Sequence, residues 1–131
     1  MRPFTLEVRT FEKGQYGTAN LRAMHTACPH ILVTESIAFP GHYRLTHAAT
    51  GMAIAWAECS ATRDAFGLFD LAAEIGTMTD WSRPAQDLHK DEALTHALKR
   101  AFMAAPIEWM TSARDKRLEA ASRAALLTGG E

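Results

Sequence analysis

The sequence predicts an α+β domain: a small antiparallel sheet, built from N-terminal strands and a hairpin over 43–57, packed by three to four helices that are mostly C-terminal. Three observations carry this reading. Apolar residues alternate with a period of two from Phe4 to Phe11 and again from Tyr43 onward. After Cys59 the spacing changes to that of one helix face, through Leu68, Leu71, Ile75 and Met78. Strand-like and helix-like segments are also segregated along the chain instead of alternating, which separates α+β from α/β. With 131 residues and no linker or internal repeat, residues 1–131 form one domain, with 128–131 as a loose tail around Gly129 and Gly130.

In order, Phe4, Leu6 and Val8 fall on one face of a first strand, opposite Thr5, Glu7 and Arg9. Lys13 and Gly14 break it. Thr18 or Asn20 then caps a short helix through Cys28, with Leu21, Met24 and Cys28 on one side and Pro29 as its stop. Ile31 to Glu35 is a β-branched run and a second strand. In the hairpin, Tyr43, Leu45 and His47 alternate before the turn and Met52, Ile54 and Trp56 after it, with Gly51 suited to positive φ. Thr62 is a candidate N-cap for the next helix, with Phe66 and Phe69 beside its apolar stripe. Thr79 to Lys90 reads as a polar loop. Asp91 caps a helix that buries Leu94, Leu98, Ala101 and Phe102. Pro106 opens a last helix, with Ile107, Met110, Leu118, Ala121 and Ala125 on its apolar side.

Composition narrows the function classes. The 47% hydrophobic and 22% charged fractions are those of a folded domain. Charges interrupt every apolar run near the N-terminus and no 18-residue apolar stretch occurs, so neither export nor a membrane span is expected. Two cysteines, Cys28 and Cys59, fit unpaired thiols in a reducing cytoplasm. The net charge of −1 argues against a phosphate-binding surface. Its distribution is uneven: residues 61–92 hold seven acidic residues against three basic ones, and the chain beyond holds six basic against four acidic.

No nucleophile elbow, glycine-rich phosphate loop or HExxH pair is present. His25, Cys28 and His30 form the densest group of candidate ligands, and they define an alternative reading as a small enzyme or metal-binding protein. A zinc site needs a second set of ligands, which is missing, and a helix C-terminus disfavours a thiolate nucleophile. No metal and no cofactor are called for. A third reading, a nucleic-acid module, would use Lys99, Arg100, Arg114, Lys116, Arg117 and Arg123, which are interleaved with acids.

The leading reading is a non-enzymatic binding protein with a protein partner. Trp81 stands in a polar, proline-containing segment, either folded back onto the domain or exposed as an interface anchor. Around it Asp70, Glu74, Asp80, Arg83 and Asp87 form an acidic setting suited to a basic partner. The run Tyr43-Arg44-Leu45-Thr46-His47-Ala48-Ala49-Thr50-Gly51, then a helix and Asp80-Trp81, resembles short orphan proteins of phages and other mobile elements. That resemblance implies an inhibitor of the anti-CRISPR kind, which blocks a host CRISPR effector surface. The alanine-rich end of the chain also leaves room for a homodimer.

Overall fold

The computed structural model describes residues 3–12, 14–37, 39–56 and 59–110. Its five strands are β1 (Phe4–Glu12), β2 (Gln15–His25), β3 (Ile31–Glu35), β4 (Tyr43–His47) and β5 (Ala53–Ile54). They form one antiparallel sheet in sequence order, followed by the helices α1 (Ala65–Ile75), α2 (Ala85–Lys90) and α3 (Glu92–Ala104). The α+β fold expected from the sequence is the one observed, with its three helices C-terminal to the sheet.

β1 and β2 pair one to one over nine positions, from Phe4↔Ala23 to Glu12↔Gln15. The helix expected from Thr18 or Asn20 through Cys28 is therefore a strand. Its burial runs with period two, Leu21 and Ala23 inside, and pairing on both sides outweighs a local helical spacing. β2 meets β3 only over Ala23 to His25, so most of the β1–β2 ribbon is unpaired with the rest of the sheet. After it the chain winds round Thr26, whose Oγ1 accepts from Cys28 N at 3.1 Å and donates to Ile31 O at 2.7 Å.

The expected hairpin is present, closed by a turn in which Gly51 has φ +70° and donates to His47 O at 2.8 Å. Its second arm is short. Past Ile54, Trp56 and Cys59 bridge each other, and Thr62 then exchanges two backbone bonds with Tyr43. Asp64, not Thr62, caps α1, its carboxylate accepting from Gly67 N at 2.8 Å, while Thr62 Oγ1 accepts from Asp64 N.

One face of the sheet offers Ile31, Val33, Leu45 and Ile54 to Leu68, Leu71, Ala72 and Ile75 of α1 and to Leu94, Ala101 and Phe102 of α3. The alternate residues Leu32, Thr34 and Thr46 are buried on the other face, where Thr34 and Thr46 share a hydroxyl hydrogen bond of 2.7 Å. Arg44 lies on that face too, and burial pulls its guanidinium below its ordinary pKa. Val8 of the ribbon is buried and closes on the hairpin turn, where a Cβ on Gly51 would stand 3.3 Å from its Cγ1.

Two further expectations change. The 79–90 segment is not all loop, because Pro84 starts α2. Pro106 does not open a helix over the described residues: Ile107 N–H donates to Ala105 O at 2.7 Å, and the chain runs without regular structure to Met110, whose N–H donates to Ala61 O at 2.7 Å. The rest of that expected helix, the 128–131 tail, and Arg114, Lys116, Arg117 and Arg123 lie outside the described residues.

Candidate functional site

Trp81 organises this side of the molecule. It is 4% exposed, so it is a core residue and not the exposed anchor that its polar neighbours allowed. Its indole N–H donates to Ile75 O at the end of α1, at 2.9 Å. Its own carbonyl lies 2.8 Å from His47 Nε2, and since a carbonyl only accepts, that nitrogen carries the proton. His47 Nδ1 then accepts from Thr50 Oγ1 at 3.0 Å, and Thr50 Oγ1 accepts from Met52 N at 3.2 Å. The histidine of the hairpin is thus spent on holding the turn to the Trp81 segment, with both ring nitrogens engaged.

Trp81 also walls two clefts. One, of about 340 Å³, is lined mainly by apolar side chains, among them Ile54, Trp56, Leu88, Leu94 and Leu98. The other, of about 380 Å³, is lined by Cys28, His30, Ala73, Thr77 and Asp80. Here the two ends of the candidate ligand group come apart. His25 stacks on Phe4 with ring centroids 4.6 Å apart, while Cys28 and His30 line the cleft. Among the described residues, no group of three or more His, Cys, Asp or Glu is arranged to hold a metal ion. Cys28 and Cys59 are both thiols.

The charged candidates divide by whether the fold already uses them. Arg83 is used, its Nη2 donating to Asp91 at 2.9 Å. The Asp91 carboxyl sits below its usual range, first because it accepts from Leu94 N at the start of α3 and then because of Arg83. Asp80 is lowered as well, first by the Ser82 hydroxyl and then by the Ser82 N–H, both of which it accepts. Asp70, Glu74 and Asp87 are exposed.

The structure brings Asp70 and Glu74 onto one stripe of α1, one helical turn apart, with Phe66 one turn before them. Phe66 is 85% exposed. α1 carries no basic residue at all, so this outer stripe is an aromatic ring followed by two carboxylates. Asp80 adjoins its far end through the cleft it shares with Ala73 and Thr77. Asp87 stands apart on α2, which packs against α3 and not against α1.

Sequence reasoning placed Phe66 beside the buried stripe and so missed it. The signal was available: 66 is four before 70 and eight before 74, the spacing of the charged side and not of Leu68, Leu71 and Ile75. No protein-family model, no curated protein and no solved structure matches this chain. Among the described residues, no helix is long and apolar enough to cross a membrane.

Proposed function

We propose that this chain is a non-enzymatic binding protein that docks the outer face of α1 on a basic protein surface. The observation that carries the reading is Phe66, 85% exposed on a helix whose outward charges are all carboxylates. Full burial of such a ring is worth about 1.5–3 kcal/mol, which a partner docked on this face would supply. Aromatic anchors of this kind dominate binding energy, while Asp70 and Glu74 steer a basic partner and speed its arrival.

A nucleoprotein fits that chemistry, because the surface with which it holds its nucleic acid is rich in Lys and Arg. With the resemblance to mobile-element orphan proteins, this supports a cytoplasmic inhibitor of the anti-CRISPR kind, covering part of a host CRISPR effector. The test uses the tagged chain as bait in bacterial lysate, then biolayer interferometry on the recovered partner. Phe66→Ala should weaken binding by roughly thirtyfold or more, the loss of about 2 kcal/mol that defines an anchor. Asp70→Asn with Glu74→Gln should lower the association rate and flatten its dependence on salt. A partner bound equally by wild type and Phe66→Ala would refute the assignment of this face.

A further inference from the structure

The polar groups inside the apolar cleft beside β5, α2 and α3 are already committed to the fold. His47 bonds through both ring nitrogens, to Trp81 O and to Thr50 Oγ1. Thr95 donates its hydroxyl to Asp91 O at 3.0 Å. What the interior still offers is apolar contact, from Trp56, Trp81, Leu88, Leu94 and Leu98. A space of about 340 Å³ with that lining has the character of a small-molecule site. At the roughly 30 Å³ that one water takes in the liquid, it holds about eleven non-hydrogen atoms. No residue of α1 lines it, so it is separate from the docking face.

Charge decides the other end of the ligand. No Asp or Glu lines the cleft. Two donors stand at it instead. His89 is exposed on α2 and belongs to the lining, and Lys99 is exposed on α3, its Nζ 5.5 Å from the centroid of the Trp56 ring that walls the cleft. Lys90 makes the last turn of α2 more basic still. Asp91, which follows, is already engaged by Leu94 N–H and Arg83. We propose that this cleft binds an amphipathic monocarboxylate of about ten to twelve non-hydrogen atoms, its apolar body against Trp56, Trp81 and the leucines and its carboxylate at Lys99 and His89. A cationic ligand would meet two donors and no acid, and a neutral one would leave the donors unused. A carboxylate accepts from both, in charge-assisted hydrogen bonds.

Isothermal titration calorimetry and tryptophan fluorescence test this, with octanoate as the probe and octanol as its uncharged counterpart. Octanoate should bind wild type saturably at one site and change the tryptophan emission, because Trp56 and Trp81 both wall the cleft. Octanol should bind roughly tenfold more weakly, the share of a hydrogen bond to a charged group. The variant Lys99→Gln/His89→Gln should lower octanoate affinity to the level of octanol and leave octanol unchanged. Ala55→Trp, at an exposed position of the lining, should exclude both ligands. Circular dichroism confirms that each variant is folded. The charge variant alters only two exposed side chains, so it carries the test if Ala55→Trp does not fold. A wild type that shows no saturable binding of octanoate overturns the proposal, as does equal affinity for octanoate and octanol. So does an octanoate affinity that survives the loss of both donors, or a folded Ala55→Trp that binds like wild type.

Discussion

The buried pair of threonines allows a sharp test of how the second face of the sheet is held. Thr34 and Thr46 are both fully buried, and their hydroxyl oxygens lie 2.7 Å apart. They are diagonal neighbours, since Thr34 pairs with Arg44 and Leu32 with Thr46. Valine has almost the same shape as threonine, so Thr34→Val removes the hydrogen bond without opening a cavity. It leaves the Thr46 hydroxyl buried with no partner, and an orphaned polar group of that kind costs about 1–3 kcal/mol. Thr46→Val should cost the same for the same reason. The double variant removes the polar groups together, and two matched apolar groups in place of a bonded pair are close to neutral. In urea unfolding, a loss of about 2 kcal/mol at a typical slope lowers the midpoint by roughly 1 M. Each single variant should show that shift, and the double should return to within about 0.3 M of wild type. If the double falls by the sum of the singles, the hydroxyls are independent and this account of the buried face is wrong.

Two further outcomes follow from close contacts elsewhere. Gly76 has an ordinary helical φ of −59°, so alanine there needs no unusual backbone angle, but its Cβ would stand 2.8 Å from both Ala72 O and Cys28 Cβ. Gly76→Ala should therefore destabilise the domain by about 1–3 kcal/mol through overpacking, read as a lower urea midpoint, and an unchanged midpoint would show that the end of α1 and the turn before β3 both yield freely. Asp91 has its carboxyl held below the ordinary value of 3.8, so it contributes stability that is present above that value and lost as pH falls through the lower folded one. Wild type should exceed Asp91→Asn in thermal stability near neutral pH, with the gap closing as the pH is taken below 3.8, and a gap that stays constant into strong acid would remove the carboxylate from the argument.

How far the sequence discloses the fold depends on how local the deciding forces are. β1, β3 and the 43–57 turn are legible because alternation, β-branching and a positive-φ glycine act within a few residues. Asp91 is legible as a cap because the bond it makes, to Leu94 N, is three residues away. β2 is not, because Leu21, Met24 and Cys28 satisfy a helical spacing and only pairing with β1 and β3 makes Ala23 a core position. Trp81 is illegible in the same way. Its polar neighbours suit an exposed ring, and its burial depends on two carbonyl bonds, one from the indole to Ile75 and one from His47. Of the candidate site, the acids of α1 could be read from the sequence. The engagement of Arg83 could not, because its partner Asp91 is eight residues away and comes within 2.9 Å only through the fold.

The exposure of Phe66 is enforced by the rest of α1. Turning the helix to bury that ring would carry Leu68, Leu71 and Ile75 out of the core, and each is 2% exposed or less. Three buried aliphatic side chains at about 1.5–3 kcal/mol each outweigh one ring, so the face is fixed before any partner arrives. A partner therefore has little to order on this side, which favours affinity per unit of area.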